Sequence, residues 1–300
     1  MVSSDGTTEN GNGESWSIKR MIFWSADYLV GKGVENARLD AEWLLAEALD
    51  MGRLELYLQY DRLLDSVEKS TFKSLLLRRA AREPLQYILG KTSFRELDLL
   101  TDKRVLIPRQ ETEVLVESVL NWGSNKKQGL GNVLDLGTGS GAIGISLALE
   151  GECSRVVATD VENDALAVAR INAERNGVGD LLEFRSGSLY STSHSEEHFD
   201  VIVSNPPYIP DNEACGLQPE VLEWEPVEAL FGGETGFEIM REIIVGAPEN
   251  LRSKGLLALE CGLGQAGQVV SEIEATGMFN STMIRRDLNG RERVVTAERN

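Results

Sequence analysis

Four consecutive residues, Asn205-Pro206-Pro207-Tyr208, bring together the side chains best placed to do chemistry in this chain. They follow an apolar run, Phe199 to Val203, whose pattern predicts a buried strand. Proline fixes its own φ and cannot donate to a sheet ladder. It also holds the residue before it extended. Asn205 and Pro206 both precede a proline, so the strand must end in a stiff loop. That loop offers, in fixed order, a side-chain amide, a bare proline carbonyl and an aromatic ring. The Asn205 amide oxygen and the Pro206 carbonyl can each accept one N–H of an –NH2 group. Pro207 stiffens the pair, and the Tyr208 ring can lie against a flat group. The bland alternative is a rigid turn whose Tyr faces the core. The strand before it and a glycine loop upstream weigh against that alternative.

The glycine loop lies in Val133 to Gly144, "VLDLGTGSGAIG", which reads as strand, turn and helix. Glycines let a backbone turn tightly and approach a ligand closely. The helix that follows offers free amides and the positive end of its dipole. Asp160 ends the next predicted strand, where a carboxylate can hold a ribose diol. Gly137, Thr138, Gly139, Ser140, Gly141 and Asp160 are therefore candidate ligands of a nucleoside-containing cofactor. The spacing satisfies G-x-G-x-x-A, which allows NAD. It also fits the "DLGTGSG" loop of enzymes that use S-adenosylmethionine. Asp135, two residues before the first glycine, and the turn signal Asn289-Gly290 near the C-terminus favour the second reading.

Two kinds of element must position these loops. Residues 15–87 are read as a helical domain, with Asn36 and Ser66 as helix caps and Pro84 as a stop. Lys73, Arg78, Arg79 and Arg82 lie on its last long helix and read as a solvated face. Residues 88–110 are read as a β-hairpin linker, with turn signals at Gly90 and Thr101-Asp102. Residues 111–300 alternate strand and helix, which implies a doubly wound parallel sheet. The Asn289-Gly290 hairpin turns the last strand antiparallel. Residues 1–14 have neither the basic start nor the apolar stretch of a signal peptide and read as a disordered tail.

The chain has 300 residues and a net charge of −18. The acidity is uneven: residues 91–300 hold 34 acids and 19 bases. Such a surface repels phosphate backbones, so a large nucleic-acid footprint is not expected. Cys153, Cys215 and Cys261 are far apart and read as free thiols in a reducing compartment. His194 and His198 share a polar stretch without metal-ligand partners, so no metal is expected. No apolar run reaches the ~18 residues a membrane span needs. A cytoplasmic location is expected.

The stretches "EPLQYILG", "LIPRQETE", "VLDLGTGSGAIGISLA", "VSNPPYIP", "WEPVEALFGGETG" and "RDLNGRERVV" together resemble the bacterial release factor glutamine methyltransferases, the HemK/PrmC family. The resemblance runs from about Trp16 to Arg299. It implies methyl transfer from S-adenosylmethionine to the side-chain amide nitrogen of the glutamine in the Gly-Gly-Gln motif of class 1 peptide-chain release factors. It implies a Rossmann-like seven-stranded sheet behind a small helical domain, acting as a monomer. Gly137 to Gly141 would hold the methionine end of the cofactor and Asp160 the ribose. Tyr190 sits where the family has an aromatic beside the adenine. Asn205 to Tyr208 would hold the glutamine amide. Phe94 resembles a family aromatic near the substrate entry, with core packing an equal alternative. Gln110 and Ser188 depart from the family pattern, which more often has Pro and Asp there. A sister family modifies a ribosomal-protein glutamine, and adenine or guanine amino-methyltransferases use the same four-residue loop.

Overall fold

The computed structural model describes residues 15–127, 129–194 and 196–300, so the tail read over residues 1–14 lies outside them. The chain divides after Leu89 into two compact units.

The first unit is helical: α1 (Ile18–Val30), α2 (Ala37–Ala48), α3 (Arg53–Leu58), α4 (Ser66–Ala80) and α5 (Leu85–Leu89). Its core gathers Ile22, Leu44, Leu45 and Phe72. Two local details differ from the sequence reading. The cap of α4 is Asp65, which accepts the Glu68 N–H at 2.9 Å while Glu68 accepts the Asp65 N–H at 2.9 Å. A carboxylate there also meets the positive end of the helix dipole, which a serine hydroxyl does not. Arg79, expected in solvent, is buried and donates to buried Asp40 at 2.7 Å. Burial of a charge needs such a partner, and the partner is 39 residues away.

The second unit opens with a hairpin, β1 (Lys91–Phe94) and β2 (Leu97–Leu100). Its turn is at Arg95-Glu96, between the two expected signals. Those close the hairpin's base instead: the Thr101 N–H donates to the Gly90 carbonyl at 3.2 Å. Arg95 adopts a left-handed φ of 49°, unusual for a residue with a Cβ. Its side chain pairs with Glu150 at 2.6 Å and Glu117 at 3.2 Å, and its N–H donates to Glu113. Phe94, Leu97 and Leu99 enter the same apolar core as Leu115, Val116 and Ile145. The hairpin is thus built into the second unit.

The remaining elements are α6 (Gln110–Gly123), β3 (Gly131–Leu136), α7 (Ala142–Glu150), β4 (Cys153–Asp160), α8 (Asn163–Arg175), β5 (Leu182–Ser186), β6 (Phe199–Ser204), α9 (Pro219–Leu222), α10 (Glu238–Asn250), β7 (Leu251–Glu260), α11 (Ala266–Ala275), β8 (Phe279–Arg286) and β9 (Glu292–Arg299). The seven strands β3 to β9 form one sheet in the order β5-β4-β3-β6-β7-β9-β8. β9 runs antiparallel to both its neighbours, β7 and β8, and the other pairs in the sheet are parallel. The central strands are covered on both faces, so Val201, Ile202 and Val203 are all fully buried. Strand order reverses between β3 and β6, which opens a crevice at their C-terminal ends. Leu136 and Ser204 pair across that boundary, so the glycine loop and the proline loop leave the sheet side by side. Among the described residues no helix is long and apolar enough to cross a membrane.

Candidate active site

The glycine loop is held from below. Asp135, fully buried at the end of β3, accepts the Thr138 hydroxyl at 2.7 Å and the Gly144 N–H at 3.0 Å. Burial pushes its carboxyl up to about 6. Asp160 accepts the Gly139 N–H at 2.8 Å and the Glu162 N–H at 3.0 Å, which draws the loop toward the end of β4. Desolvation raises the Asp160 carboxyl as well. Gly137 and Gly139 have φ of 69° and 54°, and a Cβ on either would meet no protein atom within 4 Å. The space above them is open, as a backbone cradle for a ligand requires. Gly141 differs. With φ of 86° it is the residue before α7, and a Cβ there would lie 2.7 Å from Ile145 and 3.2 Å from Ala169. Its freedom serves the turn and the packing of α7 on α8, and it does not line the cleft.

The cleft has a volume of about 210 Å³. Gly137 to Ser140 and Asp160 form one wall, Ser188 and Leu189 a second, and Asn205 and Pro207 the base. The segment from Arg104 to Arg109 covers another side. Buried Glu225 fixes that segment by accepting the Ile107 N–H at 3.2 Å and the Arg109 guanidinium at 2.5 Å. Glu225 escaped the sequence reading as a site residue; its signal was an acid inside "WEPVEAL".

Tyr190 is not in this cleft. Its hydroxyl donates to the Ile243 carbonyl at 2.8 Å, and its ring packs on Gly246 of α10. The residue before it, Leu189, with φ of 46°, lines the cleft instead. Phe94 is also absent from it, being 1% exposed within the core. Both rings are large apolar surfaces that find more burial under helices than at a solvent-open rim.

The proline loop is tied to the glycine loop by Ser204, whose hydroxyl donates to the Leu136 carbonyl at 2.7 Å. The Asn205 side-chain N–H donates to the Thr112 hydroxyl at 3.1 Å. Asn205 therefore keeps its Oδ1 as an acceptor. Among the described residues the Pro206 carbonyl accepts no backbone hydrogen bond. Tyr208 packs along Gly262, and its carbonyl accepts the Gln265 amide at 3.0 Å. Burial pushes its hydroxyl up to about 12. The chain thus brings Asn205 and Pro207 to the cleft with the glycine loop, while Pro206 is buried and Tyr208 stands behind them. Glu260, at the end of β7, is 1% exposed, and among the described residues its Oε2 has no hydrogen-bond partner. Burial pushes its carboxyl up to about 7. The open backbone, the carboxylate at the end of β4 and the N-terminus of α7 fit a ribose-bearing cofactor with a charged tail.

Residues 21–90 match the family described as PrmC N-terminal domain, and residues 110–218 match the Methyltransferase small domain. A Geobacter sulfurreducens protein named release factor glutamine methyltransferase is 44% identical over 282 residues, 94% of this chain and 96% of its own length. The chain belongs to the release factor glutamine methyltransferase family. A family member from Chlorobaculum tepidum is 37% identical, over 93% of this chain and 96% of its own. A Rickettsia felis protein named bifunctional methyltransferase is 34% identical over 93% of this chain, which spans 58% of that protein. Solved structures share the fold at low identity. The human METTL16 catalytic domain bound to an RNA hairpin superposes with a TM-score of 0.53 at 16% identity, over 79% of this chain and 83% of that one. A Pyrococcus furiosus methyltransferase gives 0.50 at 18%, over 76% of this chain and 98% of that one.

Proposed function

We propose that this chain methylates the side-chain amide nitrogen of the glutamine in the Gly-Gly-Gln motif of class 1 release factors. S-adenosylmethionine supplies the methyl group as a sulfonium electrophile. Gly137 to Ser140 hold its charged tail, and Asp160 holds the ribose hydroxyls. Asn205 Oδ1 and the Pro206 carbonyl each accept one N–H of the glutamine amide. An amide nitrogen is a poor nucleophile because its lone pair is delocalised. Two fixed acceptors orient it and favour the positive charge that develops on it. Positioning of this kind contributes ~7–11 kcal/mol in well-oriented systems, so no strong base is needed at the reacting atom. Tyr208 backs the loop and keeps Pro206 and Pro207 in place.

The observation that carries this reading is the fixed Asn205 amide. One of its two N–H groups goes to Thr112, and its oxygen, which accepts no hydrogen bond among the described residues, stands beside the glycine loop. We infer that the helical unit receives the body of the partner, since it exposes Phe23, Trp24, Trp43 and Tyr57 beside arginines. The same reading takes the protein to be a cytoplasmic monomer that does not touch nucleic acid, in keeping with its charge of −18. The test is mass spectrometry of a release factor after incubation with this protein and S-adenosylmethionine, with ribosomal protein and duplex DNA in parallel. A one-methyl gain on the Gly-Gly-Gln glutamine alone is expected. Transfer to either of the other two would overturn the choice of partner.

A further inference from the structure

We infer that Glu225 is a positioning residue for methyl transfer: it joins the two segments that hold the proline loop, and so keeps Asn205 aimed. The inference rests on Asn205 as the holder of the glutamine amide. Glu225 itself does not line the cleft.

The loop is held from two sides. Its Asn205 side chain donates to the Thr112 hydroxyl, in the first turn of α6, at 3.1 Å. Its backbone is held by the segment that follows Glu225. There the Ile209 N–H donates to the Leu230 carbonyl at 3.1 Å, the Gly232 N–H to the Ile209 carbonyl at 3.0 Å and the Asp211 N–H to the Gly233 carbonyl at 3.0 Å. The two backbones meet with no side chain between them. A Cβ on Gly232 would lie 2.5 Å from the Pro207 carbonyl oxygen, and one on Gly236 2.5 Å from that of Tyr208. The start of α6 is the weaker anchor. Its cap residue, Arg109, makes no side-chain cap hydrogen bond. Gln110 stands at the first helical position, where a proline would preset the backbone, and its N–H donates to no backbone carbonyl among the described residues.

Glu225 supplies what the start of α6 lacks. Its carboxylate accepts the Ile107 N–H at 3.2 Å and pairs with the Arg109 guanidinium at 2.5 Å. Both bonds fall just before α6, and the Arg109 carbonyl in turn accepts the Thr112 N–H at 3.1 Å. The Glu225 side chain is 1% exposed, so water does not replace either bond. Five residues after Glu225 the same segment reaches Leu230 and the proline loop. The contacts close a ring. It runs from Asn205 to Thr112, back along α6 to Arg109, across to Glu225, along the chain to Leu230 and Gly233, and through Ile209 back to Asn205. A closed ring fixes the Asn205 amide against its own backbone. Opened at Glu225, it leaves Asn205 and Thr112 intact but lets the start of α6 shift against the proline loop. A shift of about 1 Å at reacting groups can cost about a hundredfold in rate.

Glu225→Gln keeps the shape and one acceptor and removes the charge. In single-turnover methylation of a release factor at saturating S-adenosylmethionine it should slow transfer about tenfold, the typical worth of one charge-assisted hydrogen bond. Calorimetric affinity for the cofactor should stay within about threefold. Gln110→Pro added to that variant should restore most of the rate, because a proline at the first helical position stiffens the same start by another route. Loss of folded protein alone would instead lower the binding stoichiometry and leave the rate per bound cofactor unchanged. An unchanged rate, a loss confined to cofactor affinity or stoichiometry, or no recovery with Gln110→Pro would each overturn the inference. If Glu225→Gln does not fold, Glu225→Asp serves. It keeps the charge but is one methylene too short to reach both Ile107 and Arg109, so transfer should slow several-fold, and an unchanged rate refutes the role. Asn205→Ala separates the two levels. If it remains active, the amide-holding reading itself fails; if it is inactive while Glu225→Gln is normal, only this inference does.

Discussion

The glycine loop and the proline loop leave neighbouring strands at the same level, yet they are built by opposite means. Residues 137–141 rely on three positive-φ glycines, and their side chains are minimal or absent. Residues 205–208 rely on two prolines that deny the backbone freedom. The first loop offers its backbone to a ligand, so recognition depends on how closely that backbone can be approached. The second offers one side chain and one carbonyl, so recognition depends on how precisely they are aimed. Beneath each stands a buried carboxyl: Asp135, bonded to Thr138, under the first, and Glu260, at the end of β7, beside the second. Cofactor affinity should then be sensitive to added bulk in the first loop, and turnover to lost polar atoms in the second.

The strongest way to break this comparison is Asn205→Ala. Transfer should fall by about a thousandfold, near the upper end for loss of one preorganised polar group, while calorimetric binding of S-adenosylmethionine persists. Loss of binding with transfer retained at saturation would reverse the two roles. Next comes Glu260. Burial raises its folded carboxyl to about 7 from 4.5, against weaker opposing attraction from Arg293 and Arg109. A raised acid favours the folded state below the unfolded value, and that contribution is lost as pH climbs through 7. Glu260→Gln should therefore remove about 3 kcal/mol of destabilisation between pH 4.5 and 8, read from urea midpoints across that range. Asp135→Asn should flatten a lower step, nearer pH 6. A urea series with no difference in slope would refute both.

Smaller effects sharpen the contrast. Gly137→Ala places a methyl where no protein atom stands, so folding should suffer only the ~1–2 kcal/mol of a left-handed alanine. Cofactor affinity should fall about tenfold, with the rate at saturation little changed. Pro206→Ala should cost under ~1 kcal/mol of stability by loosening the unfolded chain. The rate should drop a few-fold at unchanged cofactor affinity, since Asn205 loses its fixed backbone.

The two loops were legible because their information is local. A strand, a run of glycines and an acid in order, or two prolines after an apolar run, need no distant partner to be read. The sheet with one antiparallel strand followed from alternation and the Asn289-Gly290 turn. Gly141 and Tyr190 were read as ligand contacts and Phe94 as either a substrate contact or core packing, and their surroundings are set by residues far away in sequence. Tyr190 meets Ile243 and Gly246, and Phe94 meets Leu115 and Val116. The Arg95 turn carries no turn residue, because Glu113, Glu117 and Glu150 hold it. Thr112, Glu225 and Glu260 were missed as a group for the same reason. The local hints were single acids, one inside "WEPVEAL" and one closing the otherwise apolar run "GLLALE".

The place of β9 in the sheet bears on how the protein is made. It lies between β7 and β8, although it follows both in the chain. β8 reaches the sheet only through β9. While a ribosome is still adding residues 292–299, β7 has an open edge, and its Leu256 to Leu259 segment, buried in the finished sheet, lacks its cover. Such an edge is a template for pairing with another chain. The nascent protein thus carries a risk of aggregation until residues 292–299 have joined the sheet, and one strand of eight residues ends it.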